Sequence, residues 1–265
     1  MYSSRLRHLL LTVVTIVLTL PVFSTPDPKP SSEYYQIRVY HYSTADQEKM
    51  LDEYISQAYI PFLHKAGIKN IGAFKSLAND TVTDKRLFVF FAASSLDKLT
   101  GLTSQLQKDS GYSKAARNYM QAAWNQAPFA RMENIILKAF RLHPSMQLPA
   151  LKGPKKDRVY ELRSYESPTE LLYNSKVHMF NEGGEIKLFD RLGFNGVFYA
   201  EVVSGSRMPN LMYMTSFENR ADRDARWKTF FSDPEWKRIS PLPEYQHNVS
   251  KSEIMFLAAT EYSEF

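Results

Sequence analysis

A guanidinium and a phenol recur two residues apart in two aromatic segments of the chain, a pattern that can bind an anionic or enolic ligand. The side chains are Arg38 and Tyr40 in the first segment and Glu161, Arg163 and Tyr165 in the second. A guanidinium donates paired hydrogen bonds to oxygen anions, and a carboxylate can accept a proton. We predict ligand binding by the two arginines and two tyrosines, with Glu161 as a candidate catalytic base. An Arg–Glu pair that satisfies itself within the fold is the alternative.

A second group of polar side chains lies on the helix predicted after the second segment. At about 100° per residue, Glu182 falls within an apolar stripe, where a carboxylate is costly unless it is paired or near a cavity. His178 and Glu185 flank the stripe at a spacing that suits a His–carboxylate acid/base pair or a divalent metal. We take His178 and Glu182 as candidate catalytic residues and Glu185 as a candidate ligand-binding residue. Gly183 and Gly184 offer the alternative that the helix phase resets and both carboxylates return to solvent.

The chain lacks the residues that several other kinds of site require. The chain has no cysteine, which excludes disulfides, thiolate metal sites and cysteine nucleophiles. It has no glycine-rich phosphate loop and no serine in a nucleophile-elbow context. A haem would need His64 or His178 as its axial ligand, without any attachment motif. We therefore predict no cofactor and no metal.

The elements that must position these residues occur in the same order in both halves of the chain. In the first half, strands are predicted at 35–40, 68–77, 86–93 and 131–142, and helices after the capping box 44–47 and at 96–107 and 113–124. In the second half, strands are predicted at 160–165, 196–203, 211–217 and 253–260, and helices from an N-cap at Ser167 and at 220–231 and 234–239. The order predicts an α+β fold of two tandem ferredoxin-like β-α-β-β-α-β units.

The central strands are apolar on both faces, although a ferredoxin-like sheet has helices on one face only. An uncovered second face would expose a large apolar patch, so another sheet must cover it. This predicts a dimeric α/β-barrel arrangement, closed within the chain or across a dimer. Since Tyr35, Ile37 and Val39 alternate with Arg38 and Tyr40, we expect the apolar set to pack on the helices. The Arg-x-Tyr sets would then face a ligand cavity between the sheets. Convergence of Arg163, Tyr165 and Glu182 on one open pocket would favour an enzyme, and mutual bonding without a void would count against it.

Several segments of the second half match a known family. The segments 159–165 (VYELRSY), 180–185 (FNEGGE) and 208–214 (MPNLMYM), with Trp227 and the later 233–236 (DPEW), resemble the NIPSNAP family of the dimeric α/β-barrel superfamily. The resemblance covers 34 to the C-terminus and is strongest in the second half. It implies the tandem fold but little about function, because family members are described as scaffolds, signalling factors and uncharacterised bacterial proteins. Related α/β-barrels include cofactor-free monooxygenases and haem enzymes.

The first residues of the chain have the three-part pattern of a signal peptide. Arg5 and Arg7 precede an apolar run at 9–20, and Val22 and Ser24 suit a cleavage site. The run is shorter than the roughly 20 residues of a membrane span. We predict a signal peptide at 1–24, a linker at 25–33, the first unit at 34–143, a linker at 144–157 and the second unit at 158–265. The protein would be periplasmic or secreted, with an uncleaved N-terminal membrane anchor as the alternative.

Charge and partner class follow from the composition. The net charge is +5, and basic residues are scattered rather than gathered on one face, so we predict no nucleic-acid partner.

Two functions remain open. One is a small-molecule binder or cofactor-independent enzyme, monooxygenase-like or isomerase-like, that uses the cavity between the sheets. The other is a non-catalytic protein that acts by oligomerisation or partner contact, and a homo-oligomer is expected.

Overall fold

The computed structural model describes residues 32–265, so the predicted signal peptide at 1–24 and nearly all of the linker at 25–33 lie outside the described residues. The strands are β1 Tyr34–Tyr42, β2 Gly72–Ser76, β3 Lys85–Ala93, β4 Arg131–Ala139, β5 Val159–Glu166, β6 Asn195–Ser204, β7 Asn210–Phe217 and β8 Lys251–Ala259. The α-helices are α1 Ala45–Tyr54, α2 Ile60–Lys65, α3 Leu96–Lys108, α4 Ser110–Ala115, α5 Arg117–Met120, α6 Glu170–Phe180, α7 Glu185–Arg191, α8 Arg220–Ser232 and α9 Pro234–Ile239. Within 32–265, no helix combines the length and the apolar character that a membrane span needs.

The eight strands close into one barrel, with the order β1-β3-β2-β8-β5-β7-β6-β4. Every neighbouring pair is antiparallel. The two halves meet where β2 pairs with β8 and where β4 pairs with β6. The fold is therefore a mixed α/β barrel whose second sheet comes from the same chain, so covering the sheet faces requires no second copy.

Strand alternation divides the core into an interior and two helix-covered layers, as the apolar character of both strand faces predicts. In β3, Phe88 and Phe90 lie inside the barrel, while Leu87, Val89 and Phe91 lie beneath the helices of the first half. In β7, Met212 and Met214 lie inside, while Leu211, Tyr213 and Phe217 pack beneath the helices of the second half. Each strand face is thus buried by a different layer.

The expected assignment of faces in β1 and β5 is wrong. Tyr35, Ile37 and Val39 line the barrel interior, as do Tyr160 and Leu162. The alternate residues therefore lie on the helix side; they are Arg38, Tyr40, Glu161, Arg163 and Tyr165. The physical reason is that the helices offer rings and counter-charges to these polar groups, and the barrel interior at this depth is lined by apolar side chains.

The N-cap of the first helix agrees with the prediction in the first half and differs in the second. Thr44 is the N-cap of α1, and both bonds of its capping box with Gln47 are present. The prediction of Ser167 as N-cap is wrong, because Thr169 caps α6 by accepting from the N–H of Leu172. The hydroxyl of Ser167 instead donates to the carbonyl oxygen of Asn248 at 2.7 Å.

The long helix predicted in the second half is broken into α6 and α7. Gly184 adopts φ +94°, a left-handed conformation that a residue with a side chain rarely adopts. A Cβ on Gly183 would lie 2.7 Å from the carbonyl oxygen of Met179, so the close backbone approach requires glycine. The helix phase is therefore reset between Phe180 and Glu185, and the apolar stripe that included Glu182 does not exist.

Candidate functional site

The residues predicted in β5 form a closed network between the barrel and α8. The Glu161 carboxylate is fully buried and accepts from Arg163 Nε at 2.6 Å, from Arg223 Nε at 2.7 Å and from Trp227 Nε1 at 3.0 Å. Arg163 also donates to the Tyr165 hydroxyl at 2.7 Å. Burial acts to raise the pKa of Glu161, but the two guanidiniums outweigh it and lower that pKa below its usual range. An ionised, fully bonded carboxylate stabilises the fold and offers no free lone pair to a ligand.

The corresponding residues of β1 are held differently. Arg38 donates from Nε to Asn134 Oδ1 at 3.0 Å, and its guanidinium carbon lies 4.7 Å from the centre of the Tyr59 ring. Tyr40 is fully buried in the helix-side core of the first half. Neither residue reaches the barrel interior, so the predicted inter-sheet site does not include them.

The polar residues of α6 and the following turn do not converge. His178 Nδ1 lies 2.9 Å from the Tyr245 hydroxyl. Glu182 is exposed and pairs with Arg141, whereas Glu185 is buried and accepts from Lys176 at 3.0 Å. The three side chains have three separate partners, so the predicted acid/base cluster with Glu182 on a core-facing stripe is wrong. The alternative of a reset helix phase is correct for Glu182 and incorrect for Glu185.

The barrel itself holds a cavity of about 310 Å³ at one end. Its deep wall is apolar and is formed by Ile37, Val39, Phe88, Ile135, Val202, Met212 and Met255. Its mouth is polar and is formed by His41, Asp84, Arg86, Arg131, Glu133, Ser164, Arg207, Asn210 and Glu253. An apolar pocket with a few convergent polar groups is the usual form of a small-molecule site. We take this barrel cavity as the candidate functional site.

His41 is the group in the cavity best placed for proton transfer. It is 7% exposed, with Nδ1 2.8 Å from Asp84 Oδ1 and Nε2 3.2 Å from Glu133 Oε1. A nitrogen of Arg131 lies 3.4 Å from the same Nε2. Neutral His41 can donate to Asp84 and accept from Arg131, while protonated His41 can donate to both carboxylates. Each protonation state therefore has its own partners, so Nε2 can accept a proton and release it again.

Beside His41, whose partner across β1 and β3 is Arg86, the mouth carries two arginines around the carboxylate of Glu253. Glu253 accepts from Arg86 at 2.8 Å and pairs with Arg207 through its second oxygen. Burial acts to raise the pKa of Glu253, but hydrogen bonds from Arg86 and Arg207 outweigh it and lower that pKa. Arg207 also lies 4.0 Å from Glu166, so the two guanidiniums face two carboxylates. What they add to the mouth is a set of N–H donors that can bind a ligand oxygen.

None of these mouth residues is among the candidate site residues predicted from the sequence. The available signal is the alternation of the strands: His41 follows Ile37 and Val39 on the same face of β1, and Glu253 precedes Met255 and Leu257 in the same way on β8. Once the apolar set is assigned to the interior, polar residues at the strand ends on that set must rim the barrel. Within residues 32–265, no cluster of three or more His, Asp or Glu side chains is arranged to hold a metal ion.

Comparison with known proteins identifies the second half of the chain. Residues 160–264 match the family model named NIPSNAP, which confirms the resemblance over that range. A NIPSNAP family protein from Agrobacterium tumefaciens is 21% identical, with a TM-score of 0.36, over 40% of this chain and 96% of that one. No curated protein matches the chain.

Two crystal structures share the fold over most of the chain. A candidate monooxygenase from Lactobacillus acidophilus has a TM-score of 0.55 at 10% identity, covering 86% of this chain and 94% of that one. A candidate monooxygenase from Fusobacterium nucleatum has a TM-score of 0.52 at 7% identity, covering 86% and 93%. At these identities the likeness concerns the fold.

Proposed function

We propose that this chain, whose second half is a NIPSNAP domain, binds a small, mainly apolar molecule in the barrel cavity and removes a proton from it. The observation that carries the proposal is His41, buried at the polar end of an apolar cavity between Asp84 and Glu133. A volume of about 310 Å³ lies at the small end of ligand pockets. It suits a molecule of one or two rings with one oxygen at the mouth.

The proposed chemistry needs a group that accepts a proton and N–H donors that stabilise the resulting charge. Nε2 of His41 takes the proton, and the imidazolium then donates to Asp84 and Glu133. The electron pair left on the substrate moves onto its oxygen, which the guanidiniums of Arg86 and Arg207 stabilise. The step needs no cofactor, because only a proton moves, from a carbon of the substrate to Nε2 of His41.

Proton removal is a first step that isomerisation and cofactor-independent oxygenation share. In an isomerase-like reaction the proton returns from His41 to another carbon. In a monooxygenase-like reaction the enolate carbon, which carries a second hydrogen, adds dioxygen to give a hydroperoxide that takes back the proton held by His41. Loss of the second hydrogen as a proton then breaks the O–O bond, so that one oxygen atom becomes the carbonyl oxygen and the other leaves, with both protons, as water. The two candidate monooxygenases of similar fold make oxygenation one of the two reactions to test.

We also infer that the two halves are tandem ferredoxin-like units and that the protein is exported. Both halves have the order strand, helices, two strands, helices, strand, which supports the first inference. The pattern of Arg5, Arg7 and the apolar run at 9–20 supports the second. Fractionation of expressing cells, with the mass of the mature protein, would test export.

A deuterium-exchange assay tests the proposed function. The probe is 2-tetralone, a two-ring ketone with acidic C–H bonds, followed in D₂O by proton NMR. Wild-type protein is expected to exchange these protons faster than buffer. Replacement Ile135→Trp should return the rate to that of buffer, because Ile135 lies on the cavity wall and the indole would fill the space.

The matched control is Ile254→Trp, the same substitution on an exposed side chain of β8 outside the cavity. It is expected to retain the wild-type rate. If wild type exchanges no faster than buffer and a thermal-shift screen of phenols, quinols and small ketones gives no response, the proposal is wrong and the non-catalytic alternative is favoured. Oxygen uptake with the same compounds would separate the oxygenase-like reaction from the isomerase-like one.

A further inference from the structure

A crevice of about 240 Å³ lies on the outside of the barrel, between β1, β4 and α3. Its polar end is formed by Gln36, Arg38 and Asn134. Its apolar walls are formed by Phe62, Leu99, Leu102, Leu106 and Ile136. The crevice is separate from the barrel cavity, because Arg38 lies on the opposite face of β1 from the interior residues.

The charge of Arg38 is unbalanced within the described structure. Its hydrogen bonds go to two neutral oxygens, Asn134 Oδ1 at 3.0 Å and the Tyr40 hydroxyl at 3.5 Å. Among residues 32–265, no carboxylate oxygen lies within 4.0 Å of a nitrogen of the Arg38 guanidinium, which is the distance limit for an ion pair. Burial raises the pKa of the neighbouring Tyr59 and Tyr54 hydroxyls, so these phenols remain neutral. A half-buried cation without a counter-charge is costly, which favours an anion supplied from outside.

The second half of the chain shows what is missing. Arg163 has a carboxylate two residues before it, Glu161, whereas Arg38 has Gln36 at that position. The helices correspond by their N-caps, Asn219 for α8 and Ser95 for α3. Eight residues after the cap, α8 carries Trp227, whose ring covers Arg163 at 3.8 Å, and α3 carries Thr103. At the positions that correspond to Glu161 and Trp227, the first half therefore has neither a carboxylate nor an aromatic ring.

We propose that this crevice binds a small organic carboxylate whose apolar body takes the place of the missing indole. The carboxylate accepts from the free N–H groups of Arg38 and from the amides of Gln36 and Asn134. The body lies over Thr103, between the leucines of α3 and Phe62. Benzoate has this composition, with one carboxylate and one ring, and it serves as the probe.

Isothermal titration with benzoate tests the site in the full chain, with benzamide as the neutral isostere and phosphate as an inorganic anion. Wild type is expected to bind benzoate and to bind benzamide and phosphate at least about tenfold more weakly. Replacement Arg38→Gln should weaken benzoate binding by at least about thirtyfold. The barrel variant Ile135→Trp should bind benzoate as wild type does, which separates this crevice from the barrel cavity.

Two further variants introduce into the crevice the groups that the second half has at the same positions. They test the proposal even if Arg38→Gln fails to fold. Gln36→Glu supplies the carboxylate and is expected to raise the melting temperature of the free protein and to abolish benzoate binding. Thr103→Trp supplies the ring and should abolish benzoate binding as well. The proposal is overturned if benzoate and benzamide bind alike, or if neither binds wild type. A benzoate affinity that Gln36→Glu and Thr103→Trp both leave unchanged overturns it too.

Discussion

Replacement Glu161→Gln is expected to lower the free energy of unfolding by about 3–5 kcal/mol. The carboxylate is fully buried and pairs with both Arg163 and Arg223. A neutral amide would leave two guanidiniums close together with no counter-charge between them. Removing one partner of a buried charge network costs more than the network contributes, because the remaining charges stay desolvated. Chemical denaturation monitored by tryptophan fluorescence measures the loss.

The same carboxylate predicts how stability depends on pH. The pKa of Glu161 is lower in the folded protein than its ordinary value of 4.5. Its contribution is therefore complete above pH 4.5 and is lost as the pH falls towards the folded pKa. The difference in unfolding free energy between wild type and Glu161→Gln is expected to be constant above that pH and to shrink below it.

The matched control is Glu235→Gln, which removes an exposed carboxylate paired with Arg238 at 2.6 Å. Solvent screens that pair, and exposed ion pairs contribute little, so the control is expected to unfold close to wild type. Equal stability of wild type and Glu161→Gln would show that Glu161 is not the counter-ion of the two arginines.

The order of strands and helices could be predicted from the sequence, because the signals that determine it come from neighbouring residues. The capping box at Thr44 fixes the start of α1 through bonds within three residues. Residues 87–93 are apolar on both strand faces, which required a covering layer on each face. These signals depend on neighbours in sequence, so they could be interpreted without the tertiary structure.

The direction of each strand face could not be predicted in the same way. Alternation separates Ile37 from Arg38 but does not say which of them faces the helices. The choice depends on Trp227 and Arg223 in the second half and on Tyr59 in the first, which are distant in sequence and supply the rings and charges on the helix side. The wrong choice assigned residues of the helix side to the cavity between the sheets, and His41 was missed for that reason.

Replacement His41→Gln is expected to reduce the rate of 2-tetralone exchange by about 10²–10⁴-fold, the range for loss of a positioned proton acceptor. Glutamine keeps a polar side chain of similar reach but cannot accept a proton at neutral pH. The cavity and its apolar wall are unchanged by the substitution, so binding of 2-tetralone should stay within about threefold of wild type. A loss in rate without a loss in binding assigns His41 to the chemical step.

The control for this variant is His64→Gln, a second histidine paired with a carboxylate, Glu264, at 2.5 Å. His64 lies at the end of α2 and does not line the barrel cavity, so its replacement should leave the exchange rate unchanged. Equal losses in the two variants would indicate a general effect on stability, and no loss in either would assign the proton transfer to another group. Asp84→Asn is expected to reduce the rate less than His41→Gln, because it removes the partner of Nδ1 but keeps Nε2, the nitrogen that accepts the proton.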